Sequence, residues 1–253
     1  MPERDAAELL RDAKRVVVFT GAGMSAESGV PTFRDALTGL WARFDPRKLA
    51  TPEAFADDPA LVWGWYEWRR AEVLRVRPNA GHEAVAAIEA HVPDTVVITQ
   101  NVDDLHERAG SRTPIHLHGS LFAPRCSACA RPASLPDPAA VGAELGGRIP
   151  PPPCADCGAP VRPGVVWFGE QLPTDALSAA TDAAFGCDLL FTVGTSGLVY
   201  PAAEIPYVAA RSGATVVQIN PEPTALDAVA DVNLRGTAAQ ILPDLVARAW
   251  GDR

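Results

Sequence analysis

The chain has 253 residues, 47% of them hydrophobic, and a formal net charge of -9 at pH 7 from 22 basic and 31 acidic side chains. That is enough apolar content for one sizeable core, or for a large domain carrying a small one. The acidity counts against nucleic-acid binding by phosphate neutralisation and suits cationic, lysine-bearing partners.

In chain order, MPERDAAELLRDAKR at the N-terminus reads as a polar amphipathic helix without the apolar centre of a secretory signal, and no apolar run reaches membrane-span length. The expectation is a cytoplasmic protein with no membrane partner. In a reducing compartment its five cysteines bind metal or stay free rather than pair. RVVVFT (15–20), TVVIT (95–99), CDLLFTVG (187–194) and ATVVQIN (214–220) read as buried parallel strands. Helical periodicity fills 59–76, 80–91, 174–185, 201–211 and 237–249. This alternation predicts an α/β fold, a doubly wound Rossmann-like parallel sheet. Residues 124–163 break the rhythm: rich in Pro, Gly and Ala, they hold four of the cysteines. A segment that buries so little apolar area needs a metal to organise it. The predicted division is a discontinuous catalytic domain, 1–123 and 164–253, with a small inserted zinc-binding module at 124–163.

GAGMSA (21–26) follows the first strand and fits G-x-G-x-x-G/A. Gly21 would make the tight turn and Gly23 the close approach to a pyrophosphate, with exposed amides favouring its charge; Ala22, Ser25 and Ala26 complete the motif. The plain alternative is a glycine turn. No acidic residue closes a second strand some twenty residues on, as a hydride-transfer enzyme would require; the loop TGLWARFDP stands there instead. QNVD (Gln100, Asn101, Val102, Asp103) and GTS (Gly194, Thr195, Ser196) follow strand ends, where open α/β sheets place ligands. Asp103 could equally be a helix N-cap. NPE (Asn220, Pro221, Glu222) ends the last strand, and Glu222 or Asn220 could hold a ribose in place of the missing acid. His118, before Gly119 at the end of the short strand PIHLHG, qualifies as a general base, with His116 on the same strand face as its rival. Cys126, Cys129, Cys154 and Cys157 form C-x2-C-x24-C-x2-C, a four-thiolate set for one structural zinc with no open position. Cys187 reads as a small core residue.

Together GAGMSAESGVPTFR, TQNVDDLHERAG, HLHGS, the paired C-x-x-C motifs, VVWFGE, GTSGLVYP and NPEPT resemble the sirtuins, NAD-dependent protein-lysine deacylases, in family order from about residue 15 to the end. The resemblance implies that Pro31, Phe33, Arg34 and Trp41 lie on a loop closing over NAD, that Asn101 meets the ribose and Asp103 the nicotinamide carboxamide, and that the backbone at Ala238 approaches the adenine. It implies His118 and Asn101 as catalytic residues, His118 taking a proton from a ribose hydroxyl after the acyl oxygen has expelled nicotinamide. The products are free lysine, nicotinamide and O-acyl-ADP-ribose. An extended peptide of the acylated-lysine substrate would pair between the segments holding Val166, Phe168, Gly169 and Glu170 and those holding Val199 and Tyr200.

Tyr66 and Arg69, three residues apart in PALVWGWYEWRRAEVLRVR, share a helix face and match the Y-x-x-R pair of the desuccinylase and demalonylase branch. A succinyl or malonyl carboxylate is a partner for both side chains, whereas acetyl offers no anion. The plain alternative is an amphipathic helix with its arginines in solvent; Arg70 is expected to point elsewhere and so to serve as a control. Mono-ADP-ribosyl transfer is the nearest rival activity. A hydride-transfer dehydrogenase and a non-catalytic ADP-ribose or zinc-ribbon module are further alternatives.

Overall fold

The structure is a computed structural model and describes residues 5–30, 49–135 and 147–251. Pro31, Phe33, Arg34 and Trp41 lie outside the described residues, as does the middle of the proline-rich loop between the cysteine pairs. The described strands are β1 (Arg15–Thr20), β2 (Asp94–Thr99), β3 (Ile115–His116), β4 (Gly119–Cys126), β5 (Val161–Val165), β6 (Leu189–Val193), β7 (Thr215–Ile219) and β8 (Val232–Leu234). The described α-helices are α1 (Ala6–Asp12), α2 (Pro52–Asp57), α3 (Pro59–Arg75), α4 (Ala80–His91), α5 (Leu105–Arg108), α6 (Thr174–Gly186), α7 (Ile205–Arg211) and α8 (Ala238–Trp250).

Six strands form one sheet in the order β3-β2-β1-β6-β7-β8, every neighbouring pair parallel. The order runs outward in both directions from β1 and β6, which is the doubly wound topology with its switch point between those two strands. The unalternating apolar runs now have their reason. Side chains alternate faces along a strand, so Val16 and Val18 enter one core with α1, α4 and α8, while Val17 and Phe19 enter the other with α6 and α7. Cys187 is buried in that second core, its thiol donating to the Ala184 carbonyl at 3.3 Å.

Local chemistry sets the helix starts. Asp58 accepts from the Leu61 amide at 3.1 Å ahead of Pro59, opening α3; Asn79 accepts from the Gly81 amide at 2.9 Å, opening α4.

Patterning did not predict β4, β5 or β8. The first two carry Pro and Gly in runs that do not look like strands, and β8 is a three-residue edge strand. β4 and β5 pair antiparallel and bracket the cysteine segment. The helix predicted from 201 begins as a short 3-10 turn, Ala202–Glu204, before α7. Helix α3 links two regions: Trp63 packs with Cys126, Cys154 and Val161, whereas Trp65 and Tyr66 pack with Leu121, Val165 and Trp167. No helix among the described residues is long and apolar enough to cross a membrane.

Candidate active site

The predicted nucleotide motifs all emerge at the carboxyl edge of the six-stranded sheet: GAGMSA from β1, QNVD from β2, GTS from β6 and NPE from β7. The β1 and β6 loops cross at the switch point. Gly21 donates to the Val193 carbonyl at 2.9 Å and Gly23 to the Gly194 carbonyl at 2.8 Å. A Cβ on Gly23 would lie 2.7 Å from the Gly194 Cα, and one on Gly194, whose φ is +60°, would lie 2.5 Å from the Met24 amide. Glycine is therefore required by the contact between the two loops themselves. This corrects the expectation of exposed amides at Gly21 and Gly23, both of which are bonded to the partner loop, while Ala22 and Ala26 stand exposed on the turn.

Thr195 is held from two sides: Gln100 Nε2 donates to its hydroxyl at 2.8 Å and Asn220 Nδ2 to its carbonyl at 3.0 Å. Half-buried Ser196 follows it. With Asn220 so engaged, Glu222 keeps the exposed carboxylate of NPE, beside exposed Pro221. Ala238 is buried at the start of α8, and the Val102 carbonyl accepts from the Leu121 amide at 2.9 Å.

Ser25 is the centre of a buried polar cluster. Its hydroxyl donates to Asp103 Oδ2 at 2.9 Å and accepts from Asn101 Nδ2 at 3.1 Å. His82 Nε2 lies 3.5 Å away on its remaining acceptor side, since His82 Nδ1 accepts from the Asn79 amide. Asp103 Oδ1 accepts from the Leu105 amide at 3.1 Å while Oδ2 faces Ser25; the N-cap of α5 is Asp104, so the capping alternative for Asp103 falls one residue off. Burial raises the Asp103 pKa.

His82 and His106 had no support in the sequence, yet their rings meet edge to face at 4.9 Å beside this cluster. Burial holds His82 near about 4 and, with the two neighbouring histidines, His106 near about 3. The spacing of His82 three residues after a capping Asn, and the adjacency of His106 to QNVD, were the available signals.

His118 lies not on a strand, as predicted, but in the tight turn between β3 and β4. Its Nδ1 is 2.9 Å from the Gln100 carbonyl. A carbonyl only accepts, so Nδ1 carries the hydrogen and Nε2 the lone pair. Burial lowers the pKa against the opposing effect of that carbonyl, which keeps the ring neutral and able to accept a proton. His116 differs: Nδ1 meets the Asn101 carbonyl at 3.1 Å and Nε2 meets Glu107 at 2.7 Å. Burial alone would lower its pKa, but the Glu107 hydrogen bond and charge reverse the sign, and both nitrogens are engaged.

α3 and the segment after β5 build a buried aromatic cluster. Trp167 Nε1 donates to the Tyr66 hydroxyl oxygen at 3.0 Å. The partly buried Arg69 guanidinium lies 5.0 Å from the Trp65 ring centre and 5.4 Å from that of Tyr66. It forms no ion pair with a carboxylate of the described residues. Burial lowers its pKa, opposed by Tyr66 and Asp103.

Arg70 does not lie in solvent, as the plain amphipathic alternative had it: it is buried with Glu67, at 3.3 and 2.5 Å, which makes it a poor neutral control. Glu170 is likewise not free for a peptide, because it pairs with Arg162 at 2.5 and 2.8 Å and accepts from the Trp167 amide at 2.8 Å. The Val166 and Phe168 amides donate to His118 and Ala50 carbonyls. The Phe168 side chain, Gly169, Val199 and Tyr200 are exposed.

Cys126, Cys129, Cys154 and Cys157 place their sulfurs within 4.8 Å of one another, with closest separations of 3.4 Å (Cys126–Cys157) and 3.8 Å (Cys129–Cys154). Zinc with sulfur ligands at about 2.3 Å requires tetrahedral edges of about 3.8 Å, so the four sulfurs fit that ion and fill its coordination. The Ala128 and Cys129 amides both point at the Cys126 sulfur at 3.4 Å, as suits a thiolate.

Residues 21–201 match the Sir2 family. A protein of Methylococcus capsulatus named NAD-dependent protein deacylase is 62% identical over 237 residues, covering 94% of this chain and 93% of that protein. Among solved structures, a Sir2 homologue in complex with NAD aligns with TM-score 0.86 at 46% identity, covering 96% of this chain and 92% of that one. A Sir2 protein bound to a myristoylated histone peptide aligns with TM-score 0.76 at 36% identity, covering 96% and 94%. On the sheet order, the strand-end motifs and these likenesses, the chain belongs to the Sir2 family.

Proposed function

We propose that this protein is an NAD-dependent protein-lysine deacylase that removes succinyl and malonyl groups as well as acetyl. Family membership supports NAD-dependent deacylation. The acyl preference rests on one observation: Arg69 and Tyr66 lie side by side among aromatic rings, and no carboxylate of the described residues forms an ion pair with Arg69, Asp103 acting on it only from farther off. A carboxylate at the end of the acyl chain supplies the missing acceptor.

NAD, when bound, supplies an electrophilic ribose carbon and nicotinamide as leaving group. The turn after β1 and the GTS loop after β6, side by side at the switch point, are where a pyrophosphate would lie, and the exposed Glu222 carboxylate is the acceptor for the adenosine ribose. Asn101 and Asp103, oriented by Ser25, take the nicotinamide side. His118 accepts a proton at Nε2, its Nδ1–H being anchored on the Gln100 carbonyl. Phe168, Val199 and Tyr200 offer apolar surface to residues flanking the lysine, with Glu170 engaged elsewhere. Zinc at the four thiolates is structural, organising the small inserted module that holds them. A reducing cytoplasm, which keeps such thiols available to metal, belongs to the same reading.

The test is mass spectrometry of acetyl-, succinyl- and malonyl-lysine peptides incubated with the protein and NAD. Succinyl and malonyl groups should be lost at least as fast as acetyl, with O-acyl-ADP-ribose as co-product. An untouched succinyl peptide overturns the acyl preference. A target that gains the mass of ADP-ribose, or nicotinamide release without acylated lysine, overturns deacylation in favour of ADP-ribosyl transfer.

A further inference from the structure

We propose that Trp167 is a positioning residue for acyl selectivity, holding the Tyr66 hydroxyl as a donor toward a carboxylate-ended acyl group; this rests on the reading of Tyr66 and Arg69 given above. A phenol oxygen both accepts and donates, so a buried tyrosine can meet an anion with the wrong side of its hydroxyl. The indole N–H can only donate. At 3.0 Å from the Tyr66 oxygen it takes the acceptor side and leaves the O–H hydrogen to point away from the indole. Tyr66 is 4% exposed, and that hydrogen has no acceptor among the described residues. A guanidinium cannot serve as one: Arg69 hydrogen-bonds Tyr66 only as a further donor to the phenol oxygen, on the same acceptor side as the indole.

The indole is itself clamped. Trp167 is 3% exposed, and the Arg162 guanidinium stacks 3.5 Å from its ring centre. Glu170 pairs with Arg162 at 2.5 and 2.8 Å and accepts from the Trp167 amide at 2.8 Å. One carboxylate thus ties together the stacking cation and the backbone of the stacked residue. Burial alone would raise the Glu170 pKa, but the Arg162 hydrogen bonds outweigh it, so Glu170 remains an anion neutralised by Arg162. The net charge beside Tyr66 is left to Arg69. Phenylalanine at 167 would keep most of the ring packing but remove the N–H, freeing the Tyr66 hydroxyl to turn a lone pair toward the incoming anion. An acetyl group carries no charge there and is indifferent to that rotation.

The experiment measures kcat and KM on succinyl- and acetyl-lysine peptides of one sequence, with NAD, for the full chain and for Trp167→Phe, Tyr66→Phe, the double variant and Arg69→Met. Trp167→Phe should lower the succinyl-to-acetyl ratio of kcat/KM about 3- to 10-fold, chiefly through the succinyl KM, with acetyl constants kept within about twofold. The double variant should match Tyr66→Phe alone, since the indole acts through that hydroxyl. An unchanged ratio in Trp167→Phe, additive effects in the double variant, or equal loss on both peptides overturns the proposal. If Arg69→Met lowers the ratio while Trp167→Phe does not, only the role of Trp167 fails; if neither does, the carboxylate-binding reading fails with it. Should Trp167→Phe not accumulate, Glu170→Gln loosens the clamp without altering the ring. It should shift the ratio in the same direction, and no shift overturns the proposal.

Discussion

The carboxyl edge of the large sheet and the aromatic cluster between α3 and the segment after β5 are held by different kinds of contact. At the sheet edge the loops from β1 and β6 touch backbone to backbone, through the Gly21 and Gly23 amides, and leave no room for a Cβ at Gly23 or Gly194. In the cluster the contacts run through side chains: an indole N–H on a phenol, a guanidinium on an indole, a second guanidinium beside two aromatic rings. The first arrangement admits little variation and suits a cofactor that does not change. The second can be retuned one side chain at a time, as the proposed role in acyl selectivity requires.

The comparison is tested most severely where α3 and the cysteine cluster meet, because Trp63 packs on Cys126 and Cys154. Metal analysis should find one zinc per chain, and Cys154→Ser should lose it and unfold the surrounding segment; structural zinc contributes on the order of 10 kcal/mol to such small units. Full thermal stability without metal would refute this. At the sheet edge, His118→Ala should reduce turnover about 10²- to 10⁴-fold on every acyl group alike while leaving the unfolding transition in place. Near-full turnover would remove His118 from the role of base.

Adjacent arginines on α3 then separate scaffold from selectivity. Arg70→Met strands the buried Glu67 carboxylate and should cost about 3–5 kcal/mol of stability, read in denaturant titration, with no change in acyl preference among folded molecules. Arg69→Met should do the reverse, cutting succinyl-lysine kcat/KM about 10- to 150-fold and leaving acetyl-lysine nearly untouched. Equal loss on both peptides would return α3 to a purely structural role. Exposed Arg75, paired with Glu72 at the surface, is the better neutral control.

The smallest effect is in pH. His82 and His106 titrate in the folded protein near about 4 and about 3, below the ordinary 6.5. Between those values the unfolded chain binds more protons, so the stability these neutral rings contribute is complete above pH 6.5 and is lost as pH falls towards 4. The slope is about 1.4 kcal/mol per pH unit for each ring. Denaturant midpoints at pH 7.5 and 5.5 should differ accordingly, and His106→Gln should flatten the difference. Identical midpoints for the unmodified protein would show that these rings are not buried neutral.

Much of the sheet edge was legible in the sequence because each of its motifs follows a strand with a strong apolar run, and position at a strand end is a local property. RVVVFT and ATVVQIN are buried on both faces and show it in their composition. β4 and β5 were not legible: their pairing depends on each other and on the cysteine cluster, and neither GSLFAPRC nor VRPGV alternates. The polar cluster around Ser25 was missed in part for the same reason, since His82 lies 57 positions away from the hydroxyl it faces.

What the sequence determined by itself was the order of the long parallel strands β1, β2, β6 and β7 with the helices between them, the four thiolates, and the residue types at those strand ends, because all of these follow from short-range pattern and spacing. Only the tertiary structure decided between neighbours of identical type. It left His118 with a lone pair at Nε2 and closed both nitrogens of His116. It buried Arg70 against Glu67 while leaving Arg69 beside aromatic rings with no ion pair to a carboxylate of the described residues. In each pair the chemistry depends on which acceptor lies within about 3 Å. That acceptor belongs to another element in the histidines' case and to the helix's own facing in the arginines', and neither is fixed by residue type.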